Sequence, residues 1–147
     1  MQRFRLRADD GFTLVELLVA ILIIGILVAI SLATFLNQRG KAQDAEAKTA
    51  AVTAAKAIEA YAANESGNGY AGATTADLTK EEASLSQARG LTVTSTATSY
   101  TVSVDSVAAP GAKFSIQRAD DGQSVRDCAL PGTGDCRATA DARGNRW

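Results

Sequence analysis

From Leu17 to Leu36 the chain runs for 20 residues without a charged side chain. A helix of about 20 apolar residues crosses the roughly 30 Å hydrocarbon core of a bilayer, and no ordinary surface helix of a small domain reads this way. Arg3, Arg5 and Arg7 precede the run and favour keeping that end in the cytoplasm. Arg39, Lys41 and Lys48 follow it, so the asymmetry is modest. With this segment committed to a membrane, the remainder of the 147 residues suffices for one small domain. From Glu65 onward that remainder is rich in Gly, Ser, Thr and Ala and poor in large apolar residues, so it needs a scaffold to pack on.

Three readings of the N-terminus compete. A secretory signal peptide would explain the basic start and would use Ser31-Leu32-Ala33 as a small-x-small cleavage site, but the apolar run exceeds the usual 7–15 residues. A plain single-span anchor explains length and orientation and gives Glu16 no role. An acidic residue in a spanning helix costs on the order of 2.5–3.5 kcal/mol at the centre and less near the end, and it usually has a partner. A cut after Gly11 supplies one, because Phe12 then carries a cationic amine one helical turn from Glu16. The two groups can also pair between chains.

The segment Gly11-Phe12-Thr13-Leu14-Val15-Glu16-Leu17-Leu18-Val19, continued by Ala20-Ile21-Leu22-Ile23-Ile24-Gly25-Ile26-Leu27, resembles the processing and methylation signature of type IV prepilins. The resemblance implies a role for each matching position. Gly11 would precede the cut made by a prepilin peptidase, and Phe12 would become the N-methylated first residue. Glu16 would neutralise the terminal amine of a neighbouring subunit during assembly. Gly25 would be the small residue that allows close helix packing, as small residues do in membranes. Two positions depart from the pattern. The leader ends Asp9-Asp10-Gly11, where many relatives carry a basic residue before the glycine. Ala33 stands where many filament-forming relatives have a helix-weakening proline, so local melting there does not carry over.

Helix formers continue through Arg39 to Asn64, with Gly40 the one weak point. Val52, Ala55, Ile58 and Ala62 mark an apolar face, with Lys56 and Glu59 toward solvent. Phe12 to Asn64 as one helix would be roughly 80 Å long; the alternative is two separate helices. Ser66-Gly67-Asn68-Gly69 then breaks the pattern. The formal G-x-G-x-x-G from Gly67 to Gly72 follows a helix instead of a strand, so a surface loop is expected and a dinucleotide site is not. Asn64-Glu65-Ser66 is a formal glycosylation sequon. Thr79 with Glu82 suggests a capping box and a short helix to about Gln87. After Gly90 the period becomes two: Leu91–Thr94, Tyr100–Asp105 and Lys113–Arg118 predict an antiparallel meander of about three strands.

The net charge of −1 gives no strong nucleic-acid signal. The absence of histidine removes Ser–His and Cys–His catalytic pairs and the commonest metal ligand. No catalytic residue, metal site or cofactor is expected; Asp120, Asp121 and Asp127 lack EF-hand spacing and read as a solvated turn. Cys128 and Cys136 form one disulfide if the chain is exported, and are two free thiols if it is cytosolic. The loop they would close is similar to the C-terminal disulfide loop of pilins. Beyond it, Arg137 to Trp147 reads as a polar, frayed end, with docking of Trp147 on the head as the alternative.

The expected fold is α+β and pilin-like: a long N-terminal helix, half membrane-spanning and half amphipathic, packed against a small antiparallel β-meander. The expected boundaries are a leader at 1–11, a transmembrane and filament-core half at 12–38, an amphipathic half at 39–64 and an extracellular head at 65–147. The resemblance implies a non-enzymatic type IV pilus subunit. It would cross the cytoplasmic membrane once, with its leader on the cytoplasmic side until a prepilin peptidase cleaves it. The pilus assembly machinery then builds a homo-polymer through the N-terminal helices, giving an extracellular filament for adhesion, motility or DNA uptake. The alternatives are a pseudopilin of a type II-like secretion system and a membrane-tethered binding domain that never polymerises.

Overall fold

Residues 11–64 and 67–147 are described by the computed structural model, in which the chain forms two units, one ending at Asn37 and the other running from Gln38 to Trp147. The leader arginines Arg3, Arg5 and Arg7, the Asp9-Asp10 pair and the sequon residues Glu65 and Ser66 lie outside the described residues. Helix α1 spans Leu14–Asn64 as one element, without a break at Ala33 or Gly40. In the first unit its large apolar side chains, among them Leu14, Leu18, Ile24 and Phe35, are all exposed. Such a surface needs lipid or other helices around it.

In the second unit α1 is the scaffold the head needs. Ala47, Ala51, Ala54 and Ile58 recur at spacings of four, three and four and are buried. Three of the four are alanines, which let the sheet approach closely. Of the face expected from larger residues, Ile58 is fully buried, while Val52, Ala55 and Ala62 are partly buried at the margin of the core. The stripe therefore starts earlier and is built of smaller residues than the sequence pattern indicated.

The head continues with helix α2 (Thr75–Glu81), a 3-10 turn (Ala83–Gln87) and four strands: β1 (Thr92–Ser95), β2 (Tyr100–Asp105), β3 (Lys113–Arg118) and β4 (Ser124–Cys128). They form one antiparallel sheet in the order β1-β2-β3-β4. Period-two alternation puts Tyr100, Val102 and Val104 of β2 and Phe114 and Ile116 of β3 in the core with Leu78 and Leu85. The capping box near residue 79 is corrected. Thr74 is the N-cap, its hydroxyl accepts from the Asp77 N–H, and the Asp77 carboxylate returns to the Thr74 N–H. Asp at the third helical position does the job expected of Glu82, which instead caps the 3-10 turn through the Ser84 N–H.

Two further expectations change. The meander has a fourth strand, β4, which carries no large aliphatic run and pairs with β3 from Phe114↔Cys128 to Arg118↔Ser124. The C-terminal tail is not frayed. Its Arg146 N–H donates to the Arg126 carbonyl at 2.8 Å, the Arg126 N–H donates to Asn145 Oδ1 at 2.9 Å, and Trp147 Nε1 donates to the Asp127 carbonyl at 2.8 Å. The Trp147 ring meets Phe114 edge-on, with centroids 5.9 Å apart. The tail thus lies along the outer side of β4.

Candidate functional site

Gly11, Phe12 and Thr13 precede α1 and are exposed, so the Gly11–Phe12 peptide is outside any regular element. Thr13 is the N-cap residue of the first turn. Its hydroxyl accepts from the Glu16 N–H at 3.2 Å, and Glu16 Oε2 accepts from the Thr13 hydroxyl at 3.2 Å and the Thr13 N–H at 3.4 Å. This Thr-x-x-Glu arrangement is a capping box, which satisfies backbone donors that a helix start leaves unpaired. Sequence reading assigned Glu16 to an amine partner and overlooked this local one. The signal was present, since Thr13 and Glu16 have the required spacing ahead of an apolar run. A carboxylate in the first turn also complements the positive end of the helix dipole.

One face further along, Leu18, Ile21, Leu22, Gly25, Ile26 and Ala29 line a shallow apolar notch. A Cβ added at Gly25 meets nothing within 4 Å, so Gly25 is not required by the packing of the single chain.

The head holds two polar clusters that the sequence pattern did not reveal. The first is a latch between α1 and the C-terminal loop. Cys128 and Cys136 are disulfide-bonded, with Cα atoms 5.9 Å apart. Asp44 of α1 is buried, accepts the Ser106 hydroxyl at 2.6 Å and accepts the Asp135 N–H at 3.0 Å. Lys48, one turn on, reaches the Asp135 carboxylate at 2.9 Å and lies 5.1 Å from the Phe114 ring centroid. Gly134 has φ of +57°, and a Cβ there would collide with the Asp44 carboxylate. The partners are separated by 62 and 91 residues, so no local spacing could announce them.

The second cluster corrects the placement of Glu59 toward solvent. Its carboxylate accepts the hydroxyls of Tyr70 at 2.7 Å and Tyr100 at 3.2 Å, and Arg118 pairs with it at 3.3 Å. The two rings meet edge-on at 4.9 Å. Burial, reinforced by the Glu59 charge, pushes the Tyr100 phenol well above its ordinary value, and burial with the Glu59 hydrogen bond raises Tyr70. Both therefore remain neutral donors at physiological pH. The loop that carries Tyr70 is the Gly67–Gly72 segment, which forms turns after a helix, as expected. The Asp120 carboxylate accepts the Thr98 hydroxyl at 2.6 Å, and Asp127 pairs with Arg146, so these acids serve local structure.

The stability that the disulfide supplies is measurable. The chain-entropy model gives about 2.6 kcal/mol for a ring of this size. Cys128→Ser with Cys136→Ser is expected to lower the unfolding midpoint of the head by about 10 °C, at roughly 2.1 cal/mol/K of unfolding entropy per residue. Thermal unfolding of the detergent-solubilised chain followed by circular dichroism checks this.

Residues 6–32 match the family model described as the prokaryotic N-terminal methylation motif. The match spans Gly11, Phe12, Glu16 and Gly25. This chain carries a methylation-type N-terminus. That N-terminus is shared by type IV pilins and pseudopilins, and here it stands on a pilin-like long helix with an antiparallel sheet. The motif implies cleavage by a prepilin peptidase and anchoring in the membrane before assembly. No curated protein and no solved structure matches the chain.

Proposed function

We propose that this protein is the structural subunit of a type IV pilus, cleaved between Gly11 and Phe12, methylated on Phe12 and polymerised through α1 into an extracellular filament. The reading rests chiefly on one observation: the first unit is a helix whose large apolar side chains are exposed on all sides, with a single carboxylate, Glu16, at its start. A membrane satisfies that surface in the monomer, and neighbouring copies of the same helix satisfy it in a filament. The Glu16 carboxylate then pairs with the Phe12 amine of another copy, and Gly25 admits a neighbour's ridge into the notch beside it. The work is assembly and surface presentation, without bond chemistry on a bound substrate.

The first test is the mature N-terminus. Mass spectrometry of the membrane fraction is expected to find a chain that begins at Phe12 with a methylated amine. A start at Thr34 instead, the product of cleavage after Ala33, would sink the proposal. A pseudopilin would share this processing, so electron microscopy of cells with and without the protein separates the two. Loss of surface filaments in the deletion strain supports the pilus subunit, and unchanged filaments with impaired secretion support the pseudopilin.

A further inference from the structure

The chain as a whole has no cationic excess, yet more than half of the cations without an ion-pair partner among the described residues line one groove. Fifteen Lys and Arg residues, less Arg3, Arg5 and Arg7 outside the described residues, leaves twelve. Five of these, Lys48, Lys80, Lys113, Arg118 and Arg146, are in ion pairs. Of the remaining seven, which have no ion-pair partner among the described residues, Lys56, Arg126, Arg137 and Arg143 line a single open groove of about 830 Å³ between α1, β4 and the C-terminal tail. All four are exposed.

One of the groove's two acids, Glu59, is ion-paired with Arg118, while the other, Asp141, keeps a charge that acts on Arg137. Glu59 is held by Tyr70, Tyr100 and Arg118, and the Asp141 carboxylate accepts the N–H groups of Arg143 and Asn145, at 2.9 and 2.8 Å. Arg126 is held in position by the face of Trp147, 5.2 Å from its centroid, which leaves the guanidinium donors free. Three of the four cations are arginines, whose planar forks suit tetrahedral oxyanions.

We propose that this groove binds the phosphodiester backbone of duplex nucleic acid without reading its sequence. Four exposed cations against the Asp141 carboxylate leave this open surface a net positive charge, which suits a polymer that repeats its charge, and release of condensed counterions drives such binding. The aromatic surface is occupied: Trp147 meets Phe114 with its edge and Arg126 with its face, and Tyr100 is buried. Without a free stacking platform, unpaired bases gain nothing here, which favours a duplex over a single strand. The surface lies wholly in the unit from Gln38 to Trp147, so the proposal does not depend on polymerisation.

The test uses the full processed chain in a neutral detergent and a fluorescein-labelled duplex of random sequence, with anisotropy measured against salt. With three or four phosphates engaged, the logarithm of the binding constant should fall with the logarithm of salt at a slope of about −3, so that raising NaCl from about 50 to 200 mM weakens binding on the order of a hundredfold. The double variant Arg137→Gln/Arg143→Gln should reduce the slope by about 2, equally for any sequence. The charge-matched control Arg39→Gln/Arg89→Gln, outside the groove, should leave it unchanged. Circular dichroism confirms that each variant is folded. Absence of binding at low salt, or equal loss in both double variants, overturns the assignment. Preference for a sulfated polysaccharide that the duplex fails to displace overturns the choice of ligand.

Discussion

Glu16→Gln is expected to leave cleavage and membrane insertion intact and to reduce surface filaments at least about tenfold. The glutamine variant separates the capping role that the structure shows from the amine-pairing role proposed for the same side chain. As a cap, Glu16 accepts from Thr13, and Gln fills that position in a capping box as well as Glu does. As the partner of a terminal amine, only the charged side chain serves. An unpaired cation enclosed among apolar helices costs several kcal/mol, and about 1.4 kcal/mol already changes an equilibrium tenfold. Glu16→Ala loses both roles and should fail in the same way, while Glu16→Asp keeps the charge on a shorter arm and should be intermediate. The measurement is processed protein by immunoblot and filaments by electron microscopy, taken separately. If Glu16→Gln makes filaments at the normal level, the carboxylate is a helix cap and nothing more. Such a result would favour a tethered domain that does not polymerise.

Asp44→Ala should destabilise the head by about 3 kcal/mol, because the buried Ser106 hydroxyl and the Asp135 N–H both lose a charged acceptor. For a unit of this size that corresponds to a fall of roughly 13 °C in the unfolding midpoint. Asp44→Asn, which keeps an acceptor oxygen, should lose about half as much. The informative measurement combines Asp44→Ala with the Cys128→Ser/Cys136→Ser pair. The Asp44 contact acts through a loop that the disulfide holds in shape, so the combined loss should fall short of the sum by more than about 0.5 kcal/mol. Additive losses would show that the latch and the disulfide act independently.

The N-terminal motif was legible through its resemblance to a known signature, and the long helix through its apolar run and the helix formers that follow it. The strands β1, β2 and β3 were legible from period-two alternation, as in Tyr100–Asp105. The buried stripe of α1 was legible only in part, because Ala47, Ala51 and Ala54 carry almost no hydrophobic signal and their contribution is closeness. β4 was missed because Ser124–Cys128 carries Val125 as its one large aliphatic residue, so its alternation leaves almost no apolar signal. Asp44, Glu59 and the cationic groove were hidden by distance along the chain. Lys56 and Arg126 are 70 positions apart, and a net charge near zero conceals cations that only folding brings together. At Glu16 the sequence suggested a terminal amine as partner, and the fold shows a local one, Thr13.

The tail that lies along β4 has a consequence for any crowded array of these heads. A sheet ends in two rows of unpaired backbone groups, and each can recruit a strand from another molecule. On one side β1 is only four residues long and offers a short template. On the other side, Arg126 presents its backbone N–H and carbonyl outward, but Asn145 and Arg146 already occupy them. The last residues of the chain therefore act as a built-in terminator. They occupy that edge from within, which hinders strand addition between heads held at high local concentration.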